Sequence, residues 1–134
     1  MHIIDLFTHL RTKLLGLGSR FYLILATIWT ALTLYLSLLS AQKIQAMHLW
    51  NIPGMDKIAH AIFYLCFSFL WCMALSRKRN LYIWILIMAI CFGITMEWAQ
   101  YRMMMGRAFE SLDIVANSVG AGIGIIIFKW LKAN

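Results

Sequence analysis

Four apolar runs, each about as long as a bilayer is thick, constrain this chain more than any other feature. Phe21 to Leu39 is nineteen residues without a charge. Ile58 to Leu75 is a second run, broken only by His60 and small polar residues. Leu81 to Met96 is a third, continuing through Glu97 and Trp98 toward Gln100. Ile114 to Trp130 is a fourth; it opens near Asp113, carries Asn117 one turn in, and has Lys129 placed to snorkel at its far end. About twenty apolar residues in a helix cover the roughly 30 Å hydrocarbon core. Only helices and closed barrels satisfy their backbone inside lipid, and these runs are too long and too uniformly apolar for barrel strands.

The predicted fold class is therefore all-α, an integral membrane four-helix bundle. One domain covers residues 1–134, with spans at about 21–39, 57–75, 81–100 and 113–131. Composition excludes the soluble alternatives. The chain is 63% hydrophobic and 13% charged, against about 45–50% and 25% in soluble domains. A water-soluble fold of this size could not hide so much apolar surface. Three cysteines do not make a disulfide scaffold, and the aromatic and aliphatic content excludes disorder.

The first span is longer than a signal-peptide core and is followed by no A-x-A site, so it reads as a retained signal anchor. Before it, Ile3, Leu6, Phe7, Leu10, Leu14 and Leu17 recur at helical spacing, with Thr8, Arg11, Thr12 and Lys13 on much of the other side. That pattern predicts a short amphipathic helix lying in the membrane surface.

Orientation follows from the lysines and arginines. Arg11, Lys13, Arg20, Arg77, Lys78, Arg79, Lys129 and Lys132 fall on one side of a four-span chain, and Lys43, Lys57, Arg102 and Arg107 on the other. Both termini are thereby predicted to be cytoplasmic. Of the acids, Asp5 is on the inner side, whereas Asp56, Glu97, Glu110 and Asp113 are all on the outer side. The inner side carries the whole net charge of +7. The basic balance is thus membrane topology and needs no nucleic-acid partner.

Ionisable residues within spans are costly, about 2.5–3.5 kcal/mol for a charge at mid-membrane, and mark functional sites by default. Here they collect at the outer ends of three spans. Asp56, His60 and Tyr64 follow at i, i+4 and i+8 and share one helix face, with Lys57 beside them. Glu97 and Gln100 are three apart at the end of the third span. Asp113 and Asn117 are four apart at the start of the fourth, followed by Gly120 and Gly124, which permit close helix packing. Arg107 lies in the loop between these spans, with Glu110 near it.

These residues outnumber what helix packing needs, and an outer-face polar pocket is the expectation. Arg107 and Lys57 suit a phosphate or carboxylate, so a lipid-linked or lipid-tailed anionic molecule, among membrane lipids, is the expected partner. His60 with a carboxylate also suits acid–base chemistry on a lipid headgroup. A structural cluster that only fixes helix packing is the third reading. His60, Glu97 and Asp113 are possible ligands for a divalent metal, but no H-E-x-x-H or cysteine pair accompanies them, and neither metal nor cofactor is assigned. Cys66, Cys72 and Cys91 read as buried packing residues, and Met103-Met104-Met105 as an apolar loop dipping into the interface.

Taken in order, Asp56-Lys57-x-x-His60-x-x-x-Tyr64, Glu97-x-x-Gln100, Arg107 and Asp113-x-x-x-Asn117-x-x-Gly120-x-x-x-Gly124 resemble the VanZ-like membrane protein family over roughly residues 30 to 128. That family is named for a protein associated with bacterial resistance to teicoplanin, a lipid-tailed glycopeptide. The resemblance implies a multi-pass protein of the bacterial plasma membrane. It carries over no chemical mechanism.

Overall fold

The computed structural model describes residues 3–39, 54–78, 80–103 and 109–133. These form five helices: α1 (Ile3–Gly16), α2 (Ser19–Ser37), α3 (Met55–Ala74), α4 (Leu81–Arg102) and α5 (Ser111–Ala133). No strand occurs among the described residues. Helices α2 to α5 have 19, 20, 22 and 23 residues. At 1.5 Å per residue they are about 29–35 Å long, which matches the hydrocarbon core. Each observed boundary lies within two residues of the predicted span.

The exterior of this bundle is apolar. Ile24, Ile28, Ile62, Ile83, Ile87, Val115, Val119 and Ile126 all point outward and are exposed. In water such a surface would aggregate; in a bilayer it is solvated by acyl chains. The interior is partly aromatic. Tyr64 and Phe67 of α3 meet Phe92 of α4, with the Phe67 and Phe92 rings stacked at 5.7 Å.

Without a hydrophobic drive inside lipid, helices associate through close packing and interhelical hydrogen bonds. Both occur between α3 and α5. A Cβ at Gly120 would strike the backbone of Ala61, and one at Gly124 would strike Ser68 Oγ and the Leu65 carbonyl. The Gly120–Gly124 stripe therefore packs within the bundle. Ser68 Oγ donates to the Ala121 carbonyl at 2.9 Å across the same seam. Indole N–H groups tie α2 to α3, from Trp29 to the Phe63 carbonyl at 2.9 Å and from Trp71 to Thr30 Oγ1 at 3.1 Å.

The two ends of the bundle differ. At one end Arg11 Nε of α1 donates to the Leu131 carbonyl near the end of α5 (2.9 Å), and Tyr22 donates to the Leu14 carbonyl (2.8 Å). Lys132 reaches the Ser76 carbonyl (3.2 Å), and Lys129 lies 4.5 Å over the Tyr82 ring. Cations here meet the negative ends of α3 and α5. A cavity of about 350 Å³ opens among Leu15, Tyr22, Met73, Arg77, Phe128 and Lys132. Leu6, Leu10 and Leu14 of α1 are exposed over 42%, 50% and 38% of their surface.

One expectation needs correction. Cys72 is buried and Cys66 half-buried, but Cys91 is exposed. The buried positions of α4 run Leu81, Ile85, Ala89, Gly93 and Glu97 at intervals of four, so Cys91 falls on the outward face.

Candidate functional site

The opposite end holds the polar residues. Gly54 precedes α3 at φ +80°, a left-handed conformation suited to glycine, and no side chain caps the helix there. Asp56 stands in the first turn, where a negative charge is favoured by the helix dipole. α5 starts at Ser111, and the Asp113 N–H bonds the Glu110 carbonyl at 3.1 Å, which fixes Glu110 beside the helix start. α4 delivers Glu97 and Gln100 from its last two turns.

Lys57 is the centre of an ion-pair group. Its Nζ lies 2.6 Å from Asp56 Oδ2, 2.8 Å from Glu110 Oε2 and 3.2 Å from Asp113 Oδ1. Three carboxylates thus share its charge. The Lys57 side chain is 30% exposed and that of Glu110 49%, whereas Asp113 is 4% exposed. The group thus grades from a wet rim to a buried floor.

His60 joins that floor. Its Nδ1 is 3.0 Å from Asn117 Oδ1, and its Nε2 is 3.6 Å from Asp113 Oδ2. Glu97, which is buried, accepts the backbone N–H of Glu110 at 3.3 Å through Oε2. His60, Glu97 and Asp113 each offer a ligand atom within 4.8 Å of the other two, and so do Asp56, Glu110 and Asp113. Three helices and one loop therefore bring six ionisable side chains together. Either triad has the donor atoms to hold a cation, and His60 with Asp113 could move a proton.

The remaining predicted residues are placed differently. Gln100 is buried and donates from Nε2 to the Ser37 carbonyl at 2.6 Å, so it ties α4 to the end of α2. Tyr64 is buried, and its hydroxyl has no hydrogen-bond partner among the described residues. Arg107 and Met104-Met105 lie outside the described residues. Sequence reading undervalued Glu110 and passed over Gly93. A Cβ at Gly93 would stand 2.9 Å from Asn117 Nδ2 and 3.5 Å from the Tyr64 hydroxyl. A glycine four residues before Glu97 was the available signal, since it admits neighbours to the same helix face.

The family model described as VanZ/LLP1 matches residues 13–132, nearly the whole chain. An uncharacterized protein of Schizosaccharomyces pombe is 32% identical over 78 residues, covering 57% of this chain and 48% of the relative. The matched region is thus about half the length of that relative. No solved structure matches.

Proposed function

The chain belongs to the VanZ/LLP1 family, and we propose that it is an envelope membrane protein whose polar end recognises the anionic group of a lipid-linked or lipid-tailed molecule. The supporting observation is the gradient within one cluster. Lys57 and Glu110 are partly exposed at the helix ends, where headgroups lie, while Glu97, Asp113 and Asn117 are buried beneath them. A cluster that served packing alone would gain only about 0.6–2 kcal/mol per interhelical bond and would not need four carboxylates.

In this reading both termini face the cytoplasm of a bacterium and the polar end faces outward, as the eight basic residues of the other side favour. Arg107 contacts the anionic group, and Lys57, held by three carboxylates, sets the charge of the rim. Resistance to a lipid-tailed glycopeptide is one outlet for such recognition.

A second reading has its own observation. His60 Nε2 faces the buried Asp113 carboxylate at 3.6 Å, which suits an intramembrane enzyme acting on a headgroup. Both are tested with the full chain in nanodiscs, titrated with teicoplanin and with a short-chain phosphatidic acid, and with tail-less vancomycin as control. Saturable binding of the tailed anions, weakened at least tenfold by Arg107→Ala, is the expected result. Mass-spectrometric turnover of the phosphatidic acid would move the assignment to the enzyme. Equal, non-saturable uptake of all three compounds would overturn both.

A further inference from the structure

Two triads of ligand-bearing side chains share Asp113, and they are not equivalent. Asp56, Glu110 and Asp113 are organised around a cation of the protein's own, because the Lys57 ammonium touches all three. His60, Glu97 and Asp113 have an imidazole in place of that ammonium. Asn117 Oδ1 lies 3.0 Å from His60 Nδ1, and an amide oxygen only accepts, so Nδ1 is the donor of this pair. Nε2 is the ring nitrogen turned to Asp113 Oδ2, across 3.6 Å.

A separation of 3.6 Å is longer than a hydrogen bond and close to that of two ligand atoms on one metal ion. Ligand bonds of about 2.0–2.2 Å in a tetrahedral site place donor atoms about 3.4 Å apart. A histidine that gives its other ring N–H to a carbonyl oxygen is the usual arrangement of a metal ligand. Burial points the same way: Glu97 and Asp113, which supply two of the three donor groups, are both buried. Tyr64 is only 2% exposed, and its hydroxyl is buried without a hydrogen-bond partner among the described residues. Tyr64 lies one turn beyond His60; its hydroxyl borders the same Gly93 as Asn117 does and is within electrostatic reach of Glu97, with an O–H to offer a further ligand of the ion.

We propose that His60 Nε2, Asp113 and Glu97 hold a divalent transition-metal ion of the zinc class, with Asn117 as the positioning residue for the imidazole. One nitrogen and two carboxylates disfavour magnesium and calcium, which take oxygen ligands, and the triad has no thiolate to select a softer ion. Three protein ligands leave a coordination position open to an oxygen of a phosphate or carboxylate. The cation thereby supplies the positive contact that Lys57 does not, a use that rests on the anion recognition proposed above.

The test uses the full chain in nanodiscs, stripped with EDTA and titrated with Zn²⁺ alone. One equivalent binds with micromolar or tighter affinity. Binding weakens at least 100-fold in Asp113→Asn, Glu97→Gln and His60→Gln, and stays within threefold in Glu110→Gln. Should the ligand variants fail to fold, the wild type still decides the matter, since Zn²⁺ must shift the ¹⁵N resonance of His60 Nε2 far more than that of Nδ1. Substoichiometric binding, binding that survives all three ligand substitutions, or an unmoved Nε2 resonance overturns the proposal. Lipid titrations with and without Zn²⁺ separate the two claims. Zn²⁺ binding with no effect of phosphatidic acid leaves the metal site standing and sinks the recognition reading. Phosphatidic acid binding that is indifferent to EDTA removes the metal from recognition.

Discussion

Gly120 of α5 lies so close to the backbone of Ala61 on α3 that a single added carbon has no room. The obstacle is main chain, which cannot rotate away as a side chain can. Gly120→Ala must therefore separate the two helices at their tightest contact. Overpacking costs about 1–3 kcal/mol and more where backbone must move. Gly122, two residues on, has nothing within 4 Å of its added Cβ. Gly122→Ala should be neutral or stabilising by up to about 1 kcal/mol, since alanine favours helix over glycine. Thermal unfolding in detergent checks the contrast: a large loss at Gly120 and none at Gly122.

Lys57 and Asp113 give a second prediction. Removing the ammonium leaves Asp113, almost fully buried, facing Asp56 and Glu110 without it. Breaking a buried pair costs about 3–5 kcal/mol, whereas an exposed pair is worth about 0–1 kcal/mol. Lys57 is partly exposed, so Lys57→Met should cost about 3 kcal/mol and Glu110→Gln less than about 1 kcal/mol. Lys57→Met combined with Asp113→Asn should recover part of the loss. A double-mutant cycle on unfolding midpoints reads the coupling; strict additivity would show that the pair is not a unit.

Much of this architecture was legible because lipid is an unforgiving solvent. Apolar runs marked the four spans, and the polar residues that interrupt them at Asp56, His60, Glu97 and Asp113 marked one end. Their i, i+4 spacing also placed His60 and Asn117 on faces that meet. Partner choice was not legible. Lys57 turning to Glu110 depends on how the start of α5 sits against α3, and no periodicity encodes that. Gly93 was missed because its contribution is an absent side chain, and Cys91 was placed inside because span membership does not say which face is outward.

Ser68 tests how much a single buried hydrogen bond holds in this bundle. Its single Oγ–H is shared between the Ala121 carbonyl at 2.9 Å and the Leu65 carbonyl at 3.1 Å. The second bond lies within α3, so only the first joins two helices. Interhelical bonds in membrane proteins average about 0.6 kcal/mol. Ser68→Ala should therefore lower stability by less than about 1.5 kcal/mol. Gly124→Ala, which forces a carbon against the same hydroxyl and the Leu65 carbonyl, should cost more. A reversal of that order in steric-trap or thermal unfolding would show that hydrogen bonding, not close approach, dominates the α3–α5 seam.

Gly93 offers a way to disturb the site while leaving the fold in place. An alanine there puts its Cβ 2.9 Å from Asn117 Nδ2, which is the far end of a side chain and can move by a few tenths of an ångström. The stability cost should stay below about 1 kcal/mol, and alanine returns some of it as helix propensity. The consequence falls on His60. Asn117 holds the imidazole through Oδ1, and a displaced amide loosens the bond that fixes the ring proton on Nδ1. Loss of such an orienting partner typically weakens metal affinity about 10–100-fold. Gly93→Ala should therefore bind Zn²⁺ at least tenfold more weakly than wild type, with an unfolding midpoint changed by only a few degrees. The ¹⁵N spectrum of His60 should show a mixture of tautomers in place of one. Wild-type affinity together with a single tautomer would mean that Asn117 does not govern the ring, whereas weakened binding with that mixture would establish it as the positioning residue.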